Sequence, residues 1–291
     1  MGVVTKAAVC AIVVLASAPA QDLQHVRIDR VAAGLTYAEG PAWSRDGFLV
    51  YSDVPRNQIW RWRPGEKPEV MRADSGGAMG NAYDAQGRLY TCETHARRVV
   101  RTDKNGRVEV IADKWEGKRL NSPNDVVVRR DGHVWFTDPA FGPAKERREL
   151  DFYGVFHVPP HGSMEVIAKP SGRPNGIALS PDGKTLYVAN SDERNVRAFD
   201  IARNGVASNE RVLISGIEGV PDGVKVDAAG NLYVAAKKLY VYRPDGTPVG
   251  PVEFDETPSN CAFGGPDGDV LFVTARTTVY MVRFGDQGDN R

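Results

Sequence analysis

The sequence predicts an all-β protein, a six-bladed β-propeller, and three observations support this prediction. One unit recurs six times: a polar turn containing glycine, followed by a short apolar strand, as in "RDGFLVYSD" and "PDGKTLYVAN". The turn glycines are 38 to 51 residues apart, a spacing typical of β-propellers. No long stretch of the chain shows helical periodicity. The six glycines are Gly47, Gly87, Gly132, Gly183, Gly230 and Gly268.

Each unit contains four predicted strands. In the fourth unit they are "GIALS" before the turn, "TLYVAN" after it, "NVRAFDI" beyond a second polar turn, and the weaker "RVLIS". Such a unit buries both of its faces only by stacking against its neighbours. We therefore expect residues 21–291 to form a single propeller domain, in which the strand before each glycine turn lines the central channel.

Two segments depart from the repeat. The last unit has no fourth strand after "VYMVRF", whereas "HVRIDRVAA", near the start of the chain, is a strand without a unit. Pairing the two would close the ring and remove an open sheet edge. The longest insertion, about residues 139–152, is charged and is expected to form a loop at one rim.

The composition argues against several functional classes. The 291 residues include 37 Lys and Arg and 37 Asp and Glu, so the chain carries no net charge and no basic stripe for nucleic acid. There is no Gly-x-Ser-x-Gly elbow, no phosphate loop and no Cys-x-x-Cys pair. Serine-hydrolase and nucleotide-binding functions therefore have little support.

Residues 1–20 are predicted to be a secretory signal peptide. Lys6 precedes the ten-residue apolar segment "AAVCAIVVLA", and small residues lead up to Gln21. A membrane anchor or a buried segment is the alternative, but ten apolar residues are too few to span a bilayer. The mature protein is expected to be periplasmic or secreted, without a membrane attachment. Cys92 and Cys261 are expected to be buried free thiols that pack as small hydrophobic groups.

One position in each repeat indicates a function. The residues eight positions before the turn glycines are mostly oxygen donors at the start of a channel-lining strand, so they should converge at one level of the axis. Carboxylates and amides gathered there are unfavourable without a cation among them. Oxygen ligands suit a hard cation, Ca²⁺ first, whereas the histidines match no zinc spacing. The six residues are Glu39, Met79, Asn124, Asn175, Asp222 and Asn260.

A purely structural role is the alternative for these residues. Asn and Asp are common where strands begin, because their side chains bond the local backbone. Glu39 has no such role in turns, and four oxygen donors at one register favour a metal site. The predicted ligands are Glu39, Asn124, Asn175 and Asp222. Met79 would be an apolar wall or lid, and Asn260 either joins the set or caps its strand.

The chain resembles the gluconolactonase/regucalcin-like (senescence marker protein) family of six-bladed propellers, over essentially all of the mature sequence. The resemblance rests on six motifs in order: "EGPAW" (39–43), "GKRLNSPNDVVV" (117–128), "WFTDPAFG" (135–142), "PNGIALSPDGKTLYVA" (174–189), "PDGVKVDAAGNLYVA" (221–235) and "SNCAFGG" (259–265). It implies one divalent metal ion on the same four residues, Glu39, Asn124, Asn175 and Asp222, with Ca²⁺ expected and Zn²⁺ or Mn²⁺ as alternatives.

The resemblance also implies hydrolysis of a lactone, most simply a sugar lactone. The metal would polarise the lactone carbonyl, and Asp222 would act as general base toward the attacking water. Asn121, Arg119 and Asp138 would bind substrate hydroxyl groups. Animal members carry a substrate-binding arginine where this chain has Ser122, so substrate recognition cannot be transferred from them.

Two other functions compete with a sugar lactonase. The same scaffold and metal could hydrolyse other lactones or organophosphate esters, since a metal polarises P=O as well as C=O. Alternatively, the propeller could be a non-catalytic binding protein. The partner expected for the enzyme is a small-molecule lactone, and the oligomeric state is left open.

Overall fold

The computed structural model describes residue 23 and residues 25–285. Within them the chain forms 26 strands and one short 3₁₀ helix, Gly142–Arg147. The predicted signal peptide, residues 1–20, lies outside the described residues. No helix in the described part of the chain has the length and apolar character needed to span a membrane.

Six four-stranded antiparallel sheets form the six predicted blades. Blade 1 is β2 (Ala38–Ser44), β3 (Phe48–Asp53), β4 (Gln58–Trp62) and β5 (Glu69–Ala73). Blade 2 is β6 (Ala78–Tyr83), β7 (Leu89–Glu93), β8 (Arg98–Thr102) and β9 (Val108–Ala112). Blade 3 is β12 (Val126–Val128), β13 (Val134–Asp138), β14 (Gly154–Val158) and β15 (Glu165–Ala168).

Blade 4 is β16 (Pro174–Leu179), β17 (Thr185–Asn190), β18 (Asn195–Ile201) and β19 (Ala207–Ile214). Blade 5 is β20 (Val224–Val226), β21 (Leu232–Ala235), β22 (Leu239–Tyr242) and β23 (Pro248–Val252). Blade 6 is β24 (Pro258–Gly264), β25 (Val270–Ala275) and β26 (Thr278–Phe284), completed by β1 (Val26–Ala32). The all-β, six-bladed prediction is therefore confirmed.

The N-terminal strand closes the ring as predicted. β1 pairs antiparallel with β26, with Val26 opposite Phe284 and Arg30 opposite Tyr280. Blade 6 is thus assembled from the two ends of the described chain. The outer edge of β26, which would otherwise be an open edge, is covered.

The core is divided into six apolar clusters, and each cluster lies between two neighbouring blades. One joins blades 4 and 5 through residues such as Tyr187 and Leu232, and another joins blades 1 and 6 through Tyr51 and Phe272. Cys92 and Cys261 are free, fully buried members of such clusters. Each blade therefore depends on its neighbours for burial, as the repeat pattern predicts.

Two connections carry structure that the sequence did not indicate. The charged insertion between β13 and β14 contains the 3₁₀ helix Gly142–Arg147 rather than only a loop. A two-stranded ribbon of β10 (Lys114–Trp115) and β11 (Lys118–Arg119) lies between blades 2 and 3. The 3₁₀ helix lies in the largest interval between turn glycines, from Gly132 to Gly183, and the ribbon lies in the interval before it.

Candidate active site

The four predicted ligands come together in one cavity of about 570 Å³ at one end of the channel. We call this end the first mouth; Glu39, Asn124, Asn175 and Asp222 all line it. Glu39 and both asparagines are at least 94% buried, while Asp222 is half-buried. The fold therefore brings together residues that lie up to 183 positions apart in the chain.

Irregular strand pairing gives these residues their place at the first mouth. The pairing of β2 with β3 shifts between Glu39 and Ala42, and that of β16 with β17 shifts between Pro174 and Ile177. Such bulges bend a strand and redirect its side chains. Asn124 and Asp222 precede β12 and β20 by two residues rather than opening them, in contrast to the prediction.

The backbones of Asn124 and Asp222 are nevertheless held by their blades. The N–H of Asn124 donates to the carbonyl of Thr137 at 2.9 Å, and that of Asp222 donates to the carbonyl of Ala235 at 2.8 Å. Both residues are therefore tied to the second strand of their own blade. Their side chains start from a fixed backbone, as a preorganised site requires.

Glycines next to the predicted ligands let the inner strands approach one another closely. A Cβ atom at Gly40 would lie 1.9 Å from the carbonyl oxygen of Met79, and one at Gly176 would lie 2.4 Å from that of Asp222. The N–H of Gly176 donates to this Asp222 carbonyl at 2.9 Å. Side chains at these positions would push neighbouring blades apart, so glycine is required for the spacing between ligands.

The two carboxylates are in an environment unfavourable to negative charge. Burial raises the pKa of Glu39 to about 7, and the Asp125 carboxylate adds to this. The N–H of Gly40 (2.8 Å) and the amide of Asn260 (3.3 Å) donate to Oε2 of Glu39 and partly oppose the shift. Burial and the neighbouring Glu39 also raise the pKa of Asp222 well above its usual range.

The two amides leave oxygen atoms free for a ligand. Nδ2 of Asn175 donates to the Ser191 hydroxyl at 3.1 Å, and that hydroxyl donates to the carbonyl of Pro221 at 2.7 Å. Within residues 25–285, Oδ1 of Asn175 and the side chain of Asn124 have no hydrogen-bond partner. Neutral oxygens beside two repelling carboxylates fit a hard divalent cation such as Ca²⁺.

The donor set differs from sites rich in histidine or cysteine. In the described part of the chain, no three His, Cys, Asp or Glu side chains come together as a metal cluster. The first mouth offers two carboxylates and two amides instead. This chemistry favours an oxygen-loving cation over a soft transition metal.

Asn121 and Asp138, the predicted substrate residues, bond mainly to each other. Both Asp138 oxygens accept backbone N–H groups at 2.7 Å, from Asn121 and Ser122. Burial raises the pKa of Asp138 to about 7, and these N–H groups oppose the shift. Nδ2 of Asn121 donates to the carbonyls of Asp138 (3.1 Å) and Phe152 (2.9 Å). Oδ1 of Asn121 is buried and lacks a partner among the described residues.

Arg119 is exposed on β11, where its guanidinium donates to the Ala96 carbonyl at 2.7 Å. None of Arg119, Asn121 and Asp138 lines the first mouth. Their part in substrate binding stays a prediction. The geometry gives Asn121 and Asp138 a second role, holding the segment that leads to Asn124.

The two remaining register residues have different surroundings. Met79 lines the cavity and forms part of its apolar wall. Asn260 supports Glu39 through its amide, while its Oδ1 accepts the N–H of Cys261 at 2.9 Å. It therefore caps its strand and orients a predicted ligand at the same time.

Several residues of the first mouth were not predicted from the sequence. Tyr37, Phe141, Lys237 and Arg276 lie on turns or on segments between blades, outside the repeating strands. Arg276 has one feature that could have marked it: it follows the second strand of its blade and has a positive φ, as Arg194 does in blade 4. That feature is visible only once the hairpins are aligned.

Comparison with known proteins agrees with this architecture. The sequence model of the "SMP-30/Gluconolactonase/LRE-like region" matches residues 37–277. A gluconolactonase from Zymomonas mobilis is 32% identical, over 88% of this chain and 81% of that protein. A diisopropyl-fluorophosphatase from Loligo vulgaris is 29% identical, over 84% and 87%. The structure of a gluconolactonase from Xanthomonas campestris superposes with a TM-score of 0.84 at 35% identity, over 91% of each chain.

Proposed function

Because the chain belongs to the SMP-30/Gluconolactonase/LRE-like family, we propose that it is a metal-dependent lactonase acting on sugar lactones. One observation carries the proposal: four oxygen-donor side chains from four blades line a single cavity. A substrate in this cavity has direct access to them. The resemblance to two gluconolactonases at 32% and 35% identity supports the choice of reaction.

Glu39, Asn124, Asn175 and Asp222 would hold one divalent ion, with Ca²⁺ expected and Zn²⁺ or Mn²⁺ as alternatives. Such an ion supplies a positive charge that polarises the carbonyl of a bound lactone. Two observations support the fit: the raised pKa values of two buried carboxylates, and the amide oxygens without partners.

Asp222 would accept the proton of the attacking water. It is the one of the four that is half-buried, so one face of its carboxylate reaches the cavity. The Asn175 side chain lowers the pKa of this carboxylate and so favours its charged form.

Lactone turnover with and without divalent ions tests the proposal. Purified protein is treated with a chelator, and hydrolysis of a panel of lactones is followed after adding Ca²⁺, Zn²⁺ or Mn²⁺. Wild-type protein should be active only with a divalent ion, and Asp222→Ala should lose at least about 100-fold in kcat. Undiminished turnover in Asp222→Ala would rule out its role as base. No turnover and no thermal shift with any ion would favour a non-catalytic binding propeller.

Organophosphate hydrolysis is the second candidate, and the similarity to a diisopropyl-fluorophosphatase favours it. A cation would play the same part in both reactions, because in each it polarises a doubly bonded oxygen of the substrate. Adding diisopropyl fluorophosphate to the substrate panel separates them. A kcat/KM higher for this ester than for every lactone would make the second candidate the better one.

We further propose that the protein is exported and acts in the periplasm or outside the cell. Support comes from the charge, length and apolar character of residues 1–20. Amino-terminal sequencing of protein isolated from its native host should find a start near Gln21. A mature chain that still begins at Met1 would contradict the proposal.

A further inference from the structure

Two basic side chains line the first mouth, Lys237 and Arg276, and a third, Arg173, lies over the ring of Phe141 at its edge; two of the three are neutralised by acids. Lys237 pairs with Glu218, and Arg173 pairs with Asp192 at 2.5 Å. Arg276, which lines the cavity, forms no ion pair with any residue of 25–285. Of these three basic groups it is the one without an ion-pair partner among the described residues, although its charge lowers the pKa of Asp222.

Arg276 is held in position despite its exposure. Its guanidinium lies over the ring of Tyr37, with 5.7 Å between Cζ and the ring centroid. Tyr37 lines the same cavity and is half-buried. A guanidinium stacked on an aromatic face loses little further freedom when it binds a ligand.

The backbone of Arg276 is also unusual. It opens a two-residue turn between β25 and β26 with a φ of +46°, a conformation that favours Gly, Asn or Asp. Its carbonyl accepts the N–H of Ala38, the residue before Glu39, at 2.7 Å. This hydrogen bond ties the turn that carries Arg276 to the strand that carries Glu39.

Arg194 lies in the corresponding turn of blade 4 and serves as a comparison, because it is an arginine outside the site. Its φ is +52°, and its carbonyl accepts the N–H of Ile217 in the same manner. It is exposed, but it does not line the cavity. Both arginines thus have the same backbone geometry, but of the two only Arg276 lines the cavity.

We propose that Arg276 binds an anionic group on the substrate, a carboxylate or phosphate remote from the lactone carbonyl. The inference rests on the proposed lactonase function and specifies its substrate class as acidic lactones. Guanidinium groups bind carboxylate and phosphate through paired hydrogen bonds. Arg276 is exposed and lines the cavity, so a bound substrate can reach it.

Three substrates and four proteins test this proposal. The substrates are glucono-1,5-lactone (neutral), glucaro-1,4-lactone (carboxylate) and 6-phosphoglucono-1,5-lactone (phosphate). The proteins are wild type, Arg276→Gln, Arg276→Lys and the matched control Arg194→Gln. Arg276→Gln should raise KM for at least one acidic lactone by about tenfold, and its effect on kcat/KM should be clearly larger for that lactone than for the neutral one. Arg276→Lys should retain part of the effect, and Arg194→Gln should match wild type.

The wild-type protein provides a check that does not depend on any variant folding. Its kcat/KM should be higher for an acidic lactone than for the neutral one, and the preference should fall as salt is added, because Arg276 is exposed. Equal effects of Arg276→Gln on all three lactones, or no acidic preference in wild type, would overturn the proposal. In either case turnover of the neutral lactone keeps the lactonase function, whereas inactivity toward every lactone removes that function itself.

Discussion

The two mouths of the channel have the same symmetry and very different chemistry. The first mouth gathers Glu39, Asn124, Asn175 and Asp222 from the beginnings of the inner strands. The second mouth, a cavity of about 730 Å³, is lined by the ends of those strands and the glycine turns, with Trp43, Tyr83 and Phe263 among its residues. A propeller brings equivalent positions together at both ends, so the residue types at those positions help to decide which end can bind a cation.

The backbone also distinguishes the two ends. In blades 1, 2, 4 and 6 the pairing of the inner strand with the second strand is irregular in its first half and regular afterwards. Bulges lie where side chains must be redirected, at the first mouth, whereas the second mouth keeps plain β geometry. Lys225, which lines the second mouth, pairs with the buried Asp125 at 2.9 Å. The Asp125 carboxylate raises the pKa of Glu39 and the Lys225 ammonium lowers it.

The largest effect is expected on catalysis, when one aspartate from each mouth is substituted. Asp222→Asn should lower lactone kcat by at least about 100-fold, because it removes the general base. Asp131→Asn, at the second mouth, removes an exposed carboxylate that pairs with Arg129 and should leave kcat unchanged. Steady-state kinetics on both variants measures this. A comparable loss in Asp131→Asn would mean that the two mouths are not functionally distinct.

The next largest effect concerns the narrow part of the channel. Gly40→Ala should destabilise the protein by about 3 kcal/mol or more, because the new Cβ meets the Met79 carbonyl at 1.9 Å and φ is +47°. Gly47 also has a positive φ, +80°, but has open space around it. Gly47→Ala should therefore show only the conformational cost, about 1 kcal/mol. Chemical denaturation compares the two, and equal losses would contradict close packing of the blades as the cause.

A smaller effect is expected from the ion pair of Lys225 and Asp125. Lys225→Met leaves Asp125 buried and without its cation, which should reduce the free energy of unfolding by about 2 kcal/mol. Two backbone N–H groups, from Val126 and Ile177, still support Asp125 and keep the loss moderate. Adding Asp125→Asn should recover part of the stability, as a double-mutant cycle would reveal. Additive losses would indicate that the two groups do not interact.

The smallest effect is a pH dependence on the side of the second mouth. Nδ1 of His133 and Nε2 of His157 share a hydrogen bond at 2.7 Å, and both rings stack on Trp135, over which Arg129 lies. Burial lowers both pKa values, with Arg129 lowering them further, while Asp131 and Glu165 oppose the shift.

The sign of the pH effect follows from these lowered values. The folded state favours neutral rings, so this contribution is fully present above the unfolded pKa of about 6.5 and is lost as pH falls below it. His157→Gln should flatten the decline in stability below that pH, whereas His161→Gln, an exposed control, should not. Melting temperatures across an acidic series test this, and identical slopes in both variants would contradict it.

Much of the candidate site was predictable because, in a propeller, equivalent positions of successive repeats lie around one axis at the same level. Counting eight residues back from each turn glycine found Glu39, Asn124, Asn175 and Asp222 without any three-dimensional information. The same count could not separate Asn260, which supports Glu39, from the residues that line the cavity. Both kinds of residue have the same side chain at the same register.

The surroundings of Asp138 and Arg276 could not be predicted from the sequence. Asp138 resembled a substrate residue, but which of its oxygens are already occupied depends on the backbone of Asn121 and Ser122, 16 to 17 residues earlier. Arg276 lies in a turn outside the periodic strands, so no pattern selected it. Its importance emerges only from the closed ring, where the last blade brings it over Tyr37 of the segment that enters the first.

The sequence by itself determined the architecture, the closure by the N-terminal strand, and the register of the oxygen donors, because these follow from local periodicity and turn chemistry. The tertiary structure decided which donors reach the cavity, which polar groups are already satisfied, and which charge at the rim lacks a partner. Those properties depend on distances between blades that are far apart in the chain. A short-range pattern cannot encode them.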